Sequence, residues 1–189
     1  TNAELRELIW KSQELYTRFP GITAKNWSAG NSTWTFPNGG HLWLTYLEQD
    51  KDVLRYQGQA FTWIGFDELT QYPTPFAWDY LRGRLRTTDE NIRPFLSMRA
   101  TTNPGGPGHG WVKKMFIDPA PYDTEFPARN LDDDSLLLVP EGDTDFPQER
   151  WGTPLFYRRF VPARLSDNPS LGYDYKANLL SLPEQQRRQ

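Results

Sequence analysis

Cysteine is absent from the 189 residues, which excludes a disulfide scaffold and any thiolate metal site. Histidine is nearly absent: His41 and His109 are the only two, too few for a structural zinc site. No apolar run reaches the length of a membrane span, so no membrane contact is expected. The opening residues, Thr1 to Leu8, read as a helix start and not as a signal peptide. These absences lead us to expect a soluble intracellular protein. A basic surplus is missing too. The formal net charge is -3, whereas a domain that grips DNA by itself carries a basic face. Asp132, Asp133 and Asp134 add a local acidic run. Any DNA contact therefore needs a local patch or another part of the protein. Finally, Gly-x-x-x-x-Gly-Lys-Ser/Thr occurs nowhere in the sequence, so it holds no phosphate-binding loop of that kind.

What is present is a stock of large side chains. Eight Trp, nine Tyr and eleven Phe are enough for a sizeable core in one domain, or one domain plus a flap. Leu5, Leu8, Ile9, Leu15 and Tyr16 recur mostly at helical spacing, which predicts a helix over 3–16. Thr1 and Glu4 fit a capping box at its start, and Pro20-Gly21 ends it. Two alternating runs, 33–36 and 41–46, flank Pro37-Asn38-Gly39-Gly40, a strong hairpin signal. Residues 61–66 form a short apolar run without clean alternation, as in a strand buried on both faces. Thr74-Pro75 opens a helix to about 84 or 85, with Thr74 as N-cap. Residues 95–102 are a second strand candidate, 103–110 a loop, and 111–116 the start of a helix. From 118 to 154 the chain is rich in Pro, Asp and Gly and reads as a surface insertion, with a short strand at 136–139. Residues 156–165 alternate like a strand, Ser166 to Pro169 is a turn, and 173–182 a helix stopped by Pro183. Strands alternating with helices predict an α/β fold with a mainly parallel sheet flanked by helices, plus the antiparallel hairpin.

Three places carry chemistry. Asp67-Glu68 directly follows the first of the two strands, and in open α/β sheets ligands sit beyond the carboxyl ends of the strands. An Asp there holds magnesium in phosphoryl-transfer enzymes, and a neighbouring acid orients or deprotonates the attacking water. The same pair also suits a plain turn and helix start, where acids favour the dipole. Thr101, Thr102 and Asn103 end the second strand with two hydroxyls and an amide, groups suited to sensing a terminal phosphate and ordering a neighbouring loop. That loop, Asn103 to Gly110, contains four glycines and two prolines and leads into a helix, or is simply a connector. His109 is expected to be a hydrogen-bonding loop residue. Arg82, Arg84 and Arg86, and Arg55 upstream, are candidates to stabilise charge on a transferring phosphoryl group; each also suits a solvated surface. Arg158, Arg159, Arg164, Arg187 and Arg188 are expected at the surface.

Together these segments resemble the ATPase domain of tailed-phage terminase large subunits. Phe61-Thr-Trp-Ile-Gly-Phe-Asp-Glu-Leu-Thr70 is similar to the family's Walker B motif. Arg99 to Val112 is similar to its coupling motif and the loop after it, and Val161 to Pro169 with Leu182-Pro-Glu184 to its closing segment. The resemblance covers most of 1–116 and 156–189. It implies a P-loop NTPase core of the additional-strand, catalytic-glutamate class, and an ATP-driven motor that packages double-stranded DNA into procapsids. It implies ATP and Mg2+ as cofactors. Asp67 would be the magnesium-organising acid, acting through water, and Glu68 the catalytic glutamate. Thr101, Thr102 and Asn103 would form the nucleotide-sensing coupling motif. The implied partners are DNA, the portal protein and the small terminase subunit, in a homo-oligomeric ring on the portal. The implied setting is the host bacterial cytoplasm, from a phage or prophage gene. In the family a Walker A loop precedes this region and a nuclease domain follows it. The 189 residues are thus expected to be a partial ATPase domain, inactive alone. Gln57 before Gly58 stands where many members carry an arginine, leaving the finger unassigned. Two other readings are a helicase-like ATPase of the same class and a nucleotide-inert structural or binding module.

Overall fold

The computed structural model describes residues 2–164, residue 167 and residues 172–182. The chain divides into two compact units, 1–57 and 58–189.

In the first unit, α1 spans Asn2–Tyr16. The capping box foreseen at its start falls on Thr1, outside the described residues. The hairpin forms as expected: β2 (Thr33–Thr35) pairs antiparallel with β3 (His41–Trp43), placing Trp34 opposite Leu42. Its turn is closed by Phe36 N–H donating to Gly40 O at 2.8 Å, and Gly39 takes φ 83°, which Gly adopts without strain. A short third strand, β1 (Trp27–Ser28), pairs with the other edge of β2. This puts Trp34 on the central strand, fully buried. Its indole Nε1–H donates to Ser12 Oγ at 2.9 Å, and Ser12 Oγ donates to Ile9 O at 2.7 Å. Trp27 and Tyr16 each lie 5.4 Å from it, centroid to centroid.

Val53 and Tyr56 are buried from the turn Asp50–Tyr56. Asp52 holds the start of that turn. Its carboxylate accepts Gln49 N–H at 2.9 Å and Glu48 N–H at 2.8 Å. The Gln49 bond, helped by that of Glu48 and by Arg55 and Lys51, keeps the Asp52 carboxyl below its ordinary value of 3.8. A depressed folded value means stability that is present above pH 3.8 and lost as the pH falls through the folded value. Asp52→Asn is therefore expected to lower the denaturation midpoint at neutral pH. The gap to wild type should close in acid, and urea titrations at several pH values check this.

In the second unit, β4 (Trp63–Phe66) and β5 (Ser97–Ala100) pair in parallel, from Trp63 opposite Ser97 to Phe66 opposite Ala100. The crossover between them carries α2 (Phe76–Arg82). The other edge of the first strand is extended by Phe61 N–H to Arg84 O, 2.9 Å, and Arg86 N–H to Phe61 O, 3.0 Å. Phe66, Leu69, Ala77, Trp78, Leu81, Val112 and Met115 are buried. Phe66 stacks at 5.4 Å from Tyr72 and 5.5 Å from Trp78, and Trp78 at 5.4 Å from Phe116. Thr74 caps α2 as expected in chemistry, accepting Phe76 N–H at 3.3 Å, although Pro75 occupies the cap position itself.

Several expectations are corrected here. The fold is mixed α/β, but among the described residues only β4 and β5 are parallel strands. The first-unit sheet is antiparallel, as is the pair β6 (Glu125–Pro127) and β7 (Tyr157–Arg159). Nor is β4 buried on both faces. Trp63 is 48% exposed and shares a face with exposed Gly65, over which its own ring lies. The region 118–154 contains a packed interior as well as surface turns. Ala128 N–H donates to Phe156 O, Leu137 N–H to Ala128 O and Leu155 N–H to Leu137 O, at 3.0, 2.9 and 2.9 Å. These bonds tie three segments together around buried Phe126, Ala128 and Val139. The strand expected at 136–139 is present as single bridges at Leu136 and Leu138.

Arg158, expected at the surface, is 8% exposed. Its guanidinium lies over the rings of Phe156 and Phe116 and donates to Arg129 O at 3.0 Å. Burial pushes its pKa down to about 10. The helix α3 (His109–Val112) continues in a wider turn, Lys113–Ile117, and α4 spans Tyr173–Ser181. The expected turn at Ser166 to Pro169, apart from Asp167, lies outside the described residues, as do Pro183, Arg187 and Arg188. No helix of the described residues is long and apolar enough to cross a membrane.

Candidate functional site

Parallel pairing ends both strands at the same level, and the chain continues past the sheet with the two segments still bonded. Thr101 N–H donates to Phe66 O at 3.0 Å and Leu69 N–H to Thr101 O at 2.9 Å. Asp67 and Glu68 therefore lie beside Thr101, Thr102 and Asn103, more than thirty residues away in sequence. The Thr101 hydroxyl bridges them: it donates to Asp67 Oδ1 and accepts Glu68 N–H at 3.3 Å. Asn103 Nδ2 donates to Glu68 Oε1 at 2.9 Å. Asp67 is exposed and Glu68 half-buried.

Glu68 takes φ 52° and ψ 54°. For a residue with a Cβ, this left-handed conformation costs on the order of 1–2 kcal/mol, so surrounding bonds must hold it. Glu68 thereby breaks from the strand into the short turn Leu69–Gln71, and the two acids of the sequence pair are set in different surroundings.

Sequence reasoning missed Thr70. It is 3% exposed and joins both segments: its N–H donates to Thr102 Oγ1 at 3.2 Å and its hydroxyl to Asn103 O at 3.1 Å. The Thr102 hydroxyl donates back to Thr70 Oγ1 at 3.1 Å. The only signal was its place as last residue of the run Phe61 to Thr70. The glycine loop is then clamped onto the same segment. Gly108 N–H donates to Thr70 O at 2.8 Å and Trp111 Nε1–H to Tyr72 O at 2.8 Å. Gly105 N–H donates to His109 Nδ1 at 3.1 Å, so His109 bonds the glycine loop as expected, although it stands at the first position of α3 and not in the loop itself.

Backbone approach explains two of the four glycines in this loop. A Cβ on Gly106, at φ 76°, would stand 2.7 Å from Thr70 O; on Gly108 it would stand 2.1 Å from Tyr72 O. Gly108→Ala is thus expected to destabilise the second unit by about 1–3 kcal/mol, as overpacking against backbone does. Urea denaturation followed by Trp fluorescence measures it.

The four candidate arginines are engaged within their own units. Arg55 donates to Thr45 Oγ1 at 3.0 Å and to Tyr46 O, and lies over the Tyr56 ring. Arg82 bonds Asp79 at 3.4 Å and stacks 4.6 Å from the Phe156 centroid. Arg84 stacks 4.7 Å from the Tyr80 centroid, and Arg86 donates to Gly58 O and Gln59 O, both at 3.3 Å. No finger is singled out by these contacts.

Among the described residues no group of three or more His, Cys, Asp or Glu is placed to hold a metal ion. Magnesium bound with phosphates needs less: one or two carboxylates, with water completing its shell. Asp67, exposed and oriented by a hydroxyl, fits that requirement. No family model, curated protein or solved structure matches this chain.

Proposed function

We propose that this chain forms the catalytic strand ends of an ATP-hydrolysing motor of the terminase large-subunit type, which packages double-stranded DNA into procapsids. The reading is supported above all by one observation. Two parallel strands bring Asp67 and Glu68 into a single hydrogen-bonded cluster with Thr101, Thr102 and Asn103. A carboxylate pair at one strand end and a polar sensor at the next is the arrangement phosphoryl transfer uses. Under this reading the core is of the P-loop NTPase class, and the phosphates are held by a loop that the 189 residues do not contain.

Bound magnesium would neutralise charge developing on the transferring phosphoryl group. Asp67 would hold its hydration shell, with the carboxylate kept in orientation by the Thr101 hydroxyl. Glu68 would accept the proton of the attacking water. Thr102 and Asn103, bonded to Thr70, would pass a change at the strand end to the glycine loop, because that loop hangs on Thr70 O and Tyr72 O. The acidic net charge is consistent with DNA being gripped by another part of the motor. The proposed partners are the DNA, the portal protein and the small terminase subunit, in a ring on the portal.

The test is magnesium-ATP turnover by the full-length gene product, alone and with portal and double-stranded DNA. The reading expects turnover, while the 189-residue chain alone binds magnesium-ATP weakly or not at all and does not nick DNA. Absence of turnover in every condition would retract the catalytic roles and leave a nucleotide-inert module.

A further inference from the structure

Glu68 is held in its left-handed conformation by its own turn and by the segment that follows β5. Two bonds come from the segment after β5: Glu68 N–H donates to Thr101 Oγ1, 3.3 Å, and Asn103 Nδ2 donates to Glu68 Oε1, 2.9 Å; a third is local, Gln71 N–H donating to Glu68 O at 2.8 Å. The first two bonds differ in kind. The Thr101 contact fixes backbone, whereas Asn103 occupies an oxygen of the very carboxylate that must take a proton. A general base works through a lone pair free to face water. An amide donor on that carboxylate competes with water and, being charge-assisted, is stronger than a neutral bond.

Asn103 is in turn bonded, through Thr70, to the glycine loop. Its carbonyl accepts the Thr70 hydroxyl at 3.1 Å, and Thr70 O accepts Gly108 N–H at 2.8 Å. Displacement of the glycine loop therefore pulls on Thr70, then on the Asn103 backbone, then on the amide. The Glu68 backbone is strained, and Asn103 makes the one side-chain bond that its carboxylate shows.

We propose that Asn103 is a positioning residue that restrains Glu68, and that breaking its amide bond releases the acid for proton transfer. The inference rests on the ATPase reading above and adds to it an inhibitory role for one residue of the strand end.

The first arm compares turnover of the full-length gene product, wild type against Asn103→Ala and Asn103→Asp, without and with DNA. Loss of a bond to a charged group predicts a DNA-free rate raised roughly tenfold, with stimulation by DNA correspondingly flattened. A rate that falls in parallel in both conditions would show that Asn103 only supports the fold, and would overturn the inference alone. A wild type inert in every condition would overturn the ATPase reading and the inference with it. The second arm needs no turnover and uses the 189-residue chain. Glu68→Gln should shift the Asn103 side-chain amide resonances, and Asn103→Ala should move the Glu68 13Cα and 13Cβ shifts away from left-handed values. Unchanged resonances in both variants would also overturn it.

Discussion

Glu68→Gln is expected to slow magnesium-ATP turnover by the full-length gene product by at least about a hundredfold, the usual scale of a lost general base. The substitution is chosen for what it leaves intact. Glutamine keeps the shape of the side chain and an oxygen that can still accept the Asn103 amide. The backbone bond from Glu68 to Thr101 does not involve the side chain. Folding and nucleotide affinity should therefore remain close to wild type while the rate collapses. Steady-state turnover beside nucleotide binding by calorimetry makes the distinction. Turnover that survives the change would keep an ATPase but move its acid elsewhere. A parallel loss of binding and rate would mark Glu68 as structural. Asp67→Asn should behave differently, weakening the dependence on magnesium before the rate at saturating metal, because its proposed role is to hold the metal's water shell.

The largest expected effect on stability lies in the first unit. Trp34→Ala should destabilise it by about 3–5 kcal/mol, the range for removing a large buried aromatic. Typical domains have only about 5–15 kcal/mol in total, so the substitution should remove a large share of the unit's stability. The magnitude follows from position. Trp34 is fully buried on the central strand of three, flanked by Trp27 and Tyr16. Its indole also donates to Ser12, so alanine leaves a cavity and removes one of the two hydrogen bonds of the Ser12 hydroxyl. Trp34→Phe separates these terms, keeping most of the ring and losing only the Nε1–H bond, and should cost much less. Urea titration followed by far-UV circular dichroism compares the three proteins. An alanine variant as stable as wild type would show that the unit does not depend on this centre.

Several elements were legible because their causes are local. The helix at the start follows from apolar spacing, and the hairpin from an Asn-Gly turn between alternating runs. The parallel strands could be anticipated from two short apolar runs separated by a helix start. The extent of parallel structure was overestimated because helix–strand alternation says nothing about which segments pair. Residues 125–127 and 157–159 are thirty residues apart and run antiparallel. The burial of β4 was overestimated for a related reason. An apolar run does not reveal how many neighbours the sheet supplies, and here Trp63 lies across Gly65 on an exposed face.

At the site, residue types were readable and their relations were not. Asp67, Glu68, Thr101, Thr102 and Asn103 can be picked out one segment at a time, because residue type and place after an apolar run are both visible in the sequence. Thr70 could not, since a threonine after an acid pair is unremarkable until its two bonds to the other segment are seen. Arg158 shows the same limit. A charged residue in an alternating run reads as surface, and only the rings of Phe116 and Phe156, brought from other parts of the chain, make its burial tolerable.

The sequence by itself determined the local conformations, the absence of thiolate chemistry and the identity of the groups available at the two strand ends. Each of these depends on side-chain type or near-neighbour spacing, which a linear string carries in full. Tertiary structure alone decided that Asn103 holds the Glu68 carboxylate, that Glu68 is turned left-handed, and that Gly106 and Gly108 admit the backbone of 70–72. These depend on contacts across more than thirty residues, where a difference of one ångström separates a hydrogen bond from a clash.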